Sequence, residues 1–203
     1  MKKHILAFAL MGASAAASAQ FQVNPQLGLN FQTLTNPPAG IDYAARAGYS
    51  LGVDFRIGNR LYLQPGVALG RSSTFFQYND STFSEGKVVR NNLKLKTLVG
   101  YRIIDNYQFD LRFGIGPSYD VLLSNDVKDT EIAWNEGDFN KGSWNLDAAL
   151  GFDMGIVTVE PGVSFGLTRV FEDNPTVGQI DSRYLTYGLT VGINIGDDDK
   201  NDD

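Results

Sequence analysis

The sequence predicts an all-β fold: an eight-stranded antiparallel up-and-down transmembrane β-barrel, closed by pairing of its first strand with its last. Three observations predict it. Apolar and non-apolar side chains alternate through eight stretches, each about ten residues long, which is the length a tilted strand needs to cross a bilayer. The connections between the stretches alternate between long and short. After the N-terminus, no apolar run approaches the length of a transmembrane helix.

The first four strands carry one apolar and one polar face. In the second, every odd residue from Ala45 to Ile57 is apolar, and the even positions hold charges, glycines and serine. Since successive side chains of a strand point to opposite faces, the two sets separate. In the first strand Pro25 lies near the start, and in the fourth Leu98 interrupts the polar face. These strands are predicted over 23–31, 45–57, 61–75 and 89–101.

The last four strands repeat the pattern. The fifth alternates aromatic and aliphatic residues with polar ones from Asp110 to Asp120. The sixth begins at Trp144, and the seventh follows a tight turn at Gly155. In the eighth, apolar residues alternate with glycine and threonine. These strands are predicted over 108–121, 144–154, 157–167 and 184–195.

The connections predict the orientation of the barrel. Tight turns at Gly58, Asp105 and Gly155 alternate with long connections. Outer-membrane barrels have short periplasmic turns and long extracellular loops, so we expect both termini in the periplasm. The alternative fold is a soluble, exported up-and-down barrel around a small ligand, with its apolar faces turned inward. The long connections are predicted over 33–43, 77–86, 123–143 and 169–181.

The chain divides into three parts. Residues 1–19 combine a basic start, a short apolar run and a small-residue site ending at Ala19, which predicts a secretory signal peptide. Residues 20–196 form the barrel domain. Residues 197–203 form an acidic tail that we expect to be disordered in the periplasm.

Charge and composition exclude several classes of function. The net charge is −6, and loss of Lys2 and Lys3 with the signal leaves 15 basic against 23 acidic residues, or −8. Nucleic-acid binding needs a basic surface and is not expected. The chain has no cysteine, and its one histidine, His4, lies in the signal peptide. Nucleophilic sites built on His or Cys, ordinary zinc sites and haem ligation by histidine are therefore not expected. We predict no enzymatic activity, no metal and no cofactor.

Charged side chains on the polar faces predict a network inside the barrel. One interpretation is a proton or cation path. The favoured interpretation is a set of ion pairs that plugs the lumen, because charges in a narrow interior must be paired or hydrated. The acidic connection around Asp126 to Asp138 does not have the spacing of an EF-hand. The predicted lumen charges are Arg46, Asp54, Arg56, Lys94, Lys96, Asp110, Arg112, Asp120, Asp147, Asp153 and Glu160.

Aromatic residues near the strand ends predict two girdles at the membrane interfaces, where rings with a polar edge are favoured. In a soluble protein the same residues would pack in a core. The predicted girdle residues are Tyr49, Phe55, Tyr101, Phe109, Tyr119, Trp144, Phe152, Tyr184 and Tyr187.

With its strands placed, the chain resembles the PorT-like outer-membrane β-barrel family of Bacteroidota. The resemblance spans the mature chain and rests on architectural segments. It implies residence in the outer membrane of a Gram-negative bacterium, and the family's namesake acts in type IX secretion and gliding. The segments are the signal ending Ala17-Ser18-Ala19-Gln20, then 26–30 (QLGLN), 49–55 (YSLGVDF), 61–66 (LYLQPG) and 113–119 (FGIGPSY).

Three functions remain open at this point. The first is a non-enzymatic barrel with a structural role in the envelope and a plugged polar lumen. The second is an interaction component of a secretion or motility assembly, or an adhesin, that acts through its loops. The third is a narrow channel for small solutes or ions. The expected partners are outer-membrane lipid and other envelope proteins, and we expect a monomer.

Overall fold

The computed structural model describes most of the predicted barrel domain. The predicted signal peptide at 1–19 and acidic tail at 197–203 lie outside the described residues, as do parts of the long connections. No helix within the described residues has the length and hydropathy needed to span a bilayer. The described residues are 20–36, 41–78, 85–106, 108–128, 139–171 and 181–196.

Antiparallel strands form a closed wall, which confirms the predicted fold. The strands are β1 (Phe21–Thr35), β2 (Ile41–Gly58), β3 (Leu61–Tyr78), β4 (Glu85–Asp105), β5 (Phe109–Lys128), β6 (Gly142–Met154), β7 (Val157–Gly166) and β8 (Arg183–Ile193). A further strand, β9 (Ile195–Gly196), continues β8 along β1. Each strand from β1 to β7 pairs with the next along the chain, and β8 pairs with β1. Closure is visible at Leu29 of β1, which lies opposite both Tyr49 of β2 and Leu189 of β8.

The apolar face of the wall points outward. Leu27, Leu51 and Leu189 are 66%, 59% and 44% exposed, whereas Asp54 and Arg112 inside the barrel are 0% and 1% exposed. A soluble protein buries its apolar side chains and exposes its charged ones, and here the arrangement is reversed. This rules out the alternative of a ligand-binding barrel with an apolar interior. In hydrocarbon only a closed sheet satisfies its backbone polar groups, so the closure and the apolar exterior have the same physical cause.

The two ends of the barrel differ. Gly58 and Gly155 form tight turns with φ of 121° and 58°, which glycine adopts without a steric penalty. Residue Gln20 accepts a hydrogen bond from the Gly58 N–H, so the described chain begins at the same end. We refer to this end, which also carries the β4–β5 turn and β9, as the turn rim. The opposite end, with the long connections, is the loop rim.

Five neighbouring strands, β1 to β5, reach farther at the loop rim than the sequence pattern predicts. β4 is 21 residues long and β5 is 20, while β7 and β8 have 10 and 11. Parts of the predicted connections at 33–43, 77–86 and 123–143 therefore belong to strands. The alternation of apolar residues ends before these extensions begin. Hydrogen bonding within each hairpin, and not burial of one face, determines where the extensions end.

Candidate functional site: the lumen

Two arginines and two carboxylates form the centre of an ion-pair network near the turn rim. Arg112 of β5 contacts Asp153 of β6 at 2.9 Å and Glu160 of β7 at 2.7 Å. Arg56 of β2 contacts the same Asp153 oxygen at 2.9 Å. Thr158 donates a hydrogen bond of 2.5 Å to the other oxygen of Asp153. Because β2 and β6 lie on opposite sides of the barrel, the Arg56–Asp153 pair crosses the lumen.

A second group of ion pairs connects the network to β4. Lys96 contacts Asp54 of β2 at 2.8 Å and Glu160 at 3.6 Å. Gln64 of β3 donates hydrogen bonds to Asp54 at 2.6 Å and to Glu160 at 3.4 Å. Lys94 contacts Asp147 of β6 at 3.0 Å, farther from the turn rim. β2, β4, β5, β6 and β7 thus all contribute charged side chains to these ion pairs.

Glycines opposite the large side chains make the network possible. A Cβ on Gly151 would lie within 3.0 Å of the Arg112 guanidinium, and one on Gly66 would lie that close to the Asp54 carboxylate. An eight-stranded barrel has only enough interior for side chains to fill it. The charged groups therefore fit where the adjacent position of the neighbouring strand has no side chain.

Above the network is a polar cavity of about 160 Å³. Its wall includes Lys94, Lys96, Asp120, Asp147 and Glu160, together with amides, serines and glycines. This volume has room for on the order of ten water molecules. Among the described residues, no group of three or more His, Cys, Asp or Glu side chains is arranged to hold a metal ion.

An apolar cluster lies at the loop rim. Phe139 and Phe171 form an isolated β-bridge, and their rings lie 5.5 Å apart. They pack with Leu34, Val88 and Val170, all at most 8% exposed. Sequence reasoning missed this cluster, since Phe139, Val170 and Phe171 come from predicted connections. We refer to these five residues as the apolar cap.

The lumen holds most of the predicted charged residues, but they are not all in contact. Asp110 is buried near the turn rim, where it accepts the backbone N–H of Asn106 at 3.1 Å. Asp120 accepts a hydrogen bond from Asn145 at 3.1 Å, beside the cavity. The remaining predicted residues apart from Arg46 are the ion-paired ones: Asp54, Arg56, Lys94, Lys96, Arg112, Asp147, Asp153 and Glu160.

The prediction for Arg46 is wrong. Between Arg46 and Tyr49, the pairing of β2 with β3 shifts register. Three steps along β2 there match two along β3, so the strand changes face. Arg46 lies opposite Ser73 and is exposed on the outer face of the wall, while Gly48 on the other side of the shift keeps its predicted lumen position.

Two buried arginines are not among the predicted lumen charges. Arg102 continues the even-numbered polar face of β4 just past the predicted strand end, and contacts Asp105 at 3.7 Å. A longer predicted strand would have included it. Arg90 lies under the loop rim with its guanidinium 4.3 Å from the centre of the Tyr184 ring.

The predicted girdle residues lie on the outer face with one exception. Tyr184 pairs with Leu34 of β1, points inward and packs against the apolar cap. Its even position in β8 places it on the lumen face, so the girdle prediction for Tyr184 is wrong. Toward the loop rim, the rings of Tyr119 and Trp144 lie 4.8 Å apart, and Tyr49 and Tyr187 lie on the outer face of other strands. Toward the turn rim lie Phe55, Tyr101, Phe109 and Phe152.

A family model described as the outer membrane protein beta-barrel domain matches residues 13–172. The chain belongs to this family. None of the curated protein sequences compared with it matches. The closed wall with an apolar exterior agrees with membership of the outer-membrane barrel family, and the chain is accordingly an outer-membrane β-barrel protein.

Three solved bacterial structures are similar to this chain at low sequence identity. Ail, the attachment invasion locus protein of Yersinia pestis, is 13% identical with a TM-score of 0.49, over 87% of this chain and 99% of Ail. Neisserial surface protein A is 10% identical with a TM-score of 0.47, over 86% and 96%. The NalP translocator domain of Neisseria meningitidis is 15% identical with a TM-score of 0.40, over 95% and 96%. All three scores are below 0.5, so the family assignment rests on the family model and the barrel geometry.

Proposed function

We propose that this outer-membrane barrel is non-enzymatic, has a structural role in the envelope and does not conduct solutes. The observation that carries the proposal is the ion-pair network that spans the lumen from β2 to β6. A buried ion that loses its partner is costly, so these contacts resist opening. The carboxylates that could serve in acid–base catalysis, Asp54, Asp153 and Glu160, are each bound to a cation.

Planar-bilayer recording tests the closed lumen. Folded barrel, verified by its heat-modifiable migration on gels, is expected to insert without producing stepwise currents. Regular single-channel steps from the unaltered protein would overturn the proposal in favour of the narrow channel.

We propose that the loop rim faces the outside of the cell and the turn rim faces the periplasm. The sorting of tight turns and long connections to opposite ends supports this orientation. The chain lacks cysteine, so a single-cysteine variant carries no other thiol that could be labelled. A membrane-impermeant maleimide added to intact cells is expected to label D181C at the loop rim and to leave N59C at the turn rim unlabelled. The reverse labelling pattern would reject this orientation.

An interaction role through the loop rim is the second candidate, and a specific observation favours it. The pairing of β1 with β2 ends at Ala47, and that of β5 with β6 ends at Val121. Beyond these points the described residues of the two extensions pair on one side only, apart from the Leu122 N–H, which donates to Lys141 O. One-sided strands offer backbone groups to a partner. A PorT-like role in secretion or gliding belongs to this candidate.

Crosslinking in intact cells tests the interaction role. A photo-crosslinking residue at Ser124 on the β5 extension is expected to capture an envelope protein, while one at Asn59 on the turn rim serves as the control. Capture at neither position, with the protein folded in the outer membrane, would count against this candidate.

A further inference from the structure

Arg90 of β4 is a buried cation that has no carboxylate partner among the described residues. Four arginines in the described part of the chain are at most 8% exposed. Arg56, Arg102 and Arg112 each contact a carboxylate at 3.7 Å or less. The fourth, Arg90, instead has its guanidinium 4.3 Å from the centre of the Tyr184 ring. The face of a ring attracts a cation but carries no net negative charge, so the cost of burying Arg90 is only partly offset.

The strand neighbours of Arg90 on the lumen face are uncharged. Arg90 lies opposite Ser72 of β3 and Asn125 of β5. Ser72 donates a hydrogen bond of 3.0 Å to Gln32. Asn125 is 8% exposed, and within the described structure neither atom of its amide has a hydrogen-bond partner, nor does the Nε of Arg90. Since residues directly opposite each other have Cβ atoms about 4.5–5.5 Å apart, two unused N–H donors lie side by side inside the barrel.

A small cavity of about 10 Å³ adjoins Arg90, which is the room that one water molecule or one small ion needs. Its wall consists of Arg90, Thr74, Tyr184 and the five residues of the apolar cap. A water molecule there could accept a hydrogen bond but would leave the charge of Arg90 unbalanced. An anion does both. Because Arg90 is the only charged residue in this wall, the anion that matches it carries a single charge.

We propose that Arg90 and Asn125 bind one monovalent halide ion, such as chloride, beneath the apolar cap. A halide is a single atom, whereas a carboxylate or a phosphate has several oxygens and exceeds a space the size of one water molecule. A charged N–H donor gives the strong type of hydrogen bond to an anion, and the apolar walls exclude the water that would weaken it. This proposal goes beyond the proposed function and is independent of whether the lumen conducts.

Chlorine-35 NMR of the folded barrel in non-ionic detergent micelles tests this proposal, because exchange of chloride with a protein site broadens the resonance of the free ion. The unaltered barrel is expected to broaden the line. R90Q is expected to weaken chloride binding at least about tenfold, since it removes a hydrogen bond from a charged donor. The matched control is R60Q, which removes an exposed arginine at the turn rim and is expected to behave as the unaltered protein.

A second variant, N125D, supplies the missing anion from the protein itself. Aspartate has nearly the shape of asparagine and places a carboxylate opposite Arg90, so chloride is no longer expected to bind. The unaltered barrel is expected to unfold at a higher temperature in sodium chloride than in sodium gluconate of equal ionic strength, because a ligand of the folded state stabilises it. N125D is expected to unfold at the same temperature in both salts.

Four results would overturn the proposal: no line broadening by the unaltered barrel, unchanged broadening in R90Q, unchanged broadening in N125D, or displacement of chloride by an equal concentration of acetate, which would indicate a carboxylate site. Heat-modifiable migration verifies that each variant is folded. If R90Q fails to fold, the comparison of N125D with the unaltered barrel decides. Conducting barrels in a planar bilayer would reject the proposed function and leave the chloride result standing.

Discussion

At the scale of single residues, Arg112 is the most connected group of the lumen. It contacts Asp153, Glu160 and Gln64 and is 1% exposed. Its charge is held inside the barrel only because the carboxylates of two other strands offset the loss of water. Removing it leaves buried negative charge without its main partner.

We expect R112A to destabilise the barrel by about 3–5 kcal/mol, the usual cost of breaking a buried ion pair on one side. Guanidinium unfolding in lipid vesicles, followed by tryptophan fluorescence, measures the change. The control is R60A, whose arginine is exposed, and it is expected to shift stability by less than about 0.5 kcal/mol. Equal midpoints for R112A and the unaltered barrel would contradict this account of the network.

The glycines of the lumen are not equivalent. A Cβ on Gly151 collides with the Arg112 guanidinium, while one on Gly188 meets only Leu29 O at 3.8 Å, an ordinary contact. G151A is therefore expected to cost about 1–3 kcal/mol, as overpacking does, and G188A to be nearly neutral. The same unfolding measurement compares them. A cost for G188A equal to that for G151A would indicate a general effect of glycine loss in strands.

At the scale of elements, each strand has an apolar and a polar face. In β2 to β5 each strand also has two parts, an apolar part near the turn rim and an extension at the loop rim. The apolar face covers only the part near the turn rim, and the extensions at the loop rim follow hairpin pairing. Since lipid contacts only the apolar part, the cost of an outward charge depends on its place along the strand.

Two substitutions on β2 test this dependence. Val53 lies midway between Tyr49 and Ile57, and Tyr49 is the first residue of β2 after the register shift, at the loop-rim end of the apolar part. V53R is expected to cost about 2–4 kcal/mol, and Y49R about 0–1 kcal/mol, as for arginine at the midplane and the interface of other barrels. Unfolding in vesicles measures both. A cost that is equal at the two positions would remove the argument for a membrane boundary at Tyr49.

At the scale of the whole molecule, two unlike groups of side chains occupy the lumen. The ion-pair network lies near the turn rim, and the apolar cap lies at the loop rim, with the polar cavity between them. The cap is built from few side chains and is joined by one isolated bridge, whereas the network connects strands across the barrel. The network is the barrier that we expect to control conduction.

Removal of the apolar cap tests whether the ion-pair network alone prevents conduction. The double variant F139A/F171A deletes the paired rings of the cap and leaves the network untouched. Because the network still crosses the lumen, planar-bilayer recordings of this variant are expected to remain silent. Currents from F139A/F171A, absent from the unaltered barrel, would assign the barrier to the cap.

The sequence by itself determined the faces of the wall. An alternation with a period of two directs Leu51 to lipid and Asp54 to the lumen without knowledge of any partner strand, and a sheet in hydrocarbon must close. The tertiary structure decided what that alternation cannot encode. Arg56 and Asp153 are 97 residues apart in the chain, and their pairing depends on the stagger of strands around the barrel. A register shift in β2 moved Arg46 to the outer face, and the apolar cap brought together residues from separate predicted connections. Strand faces are a local property of the backbone, whereas contacts across the lumen depend on how all eight strands align.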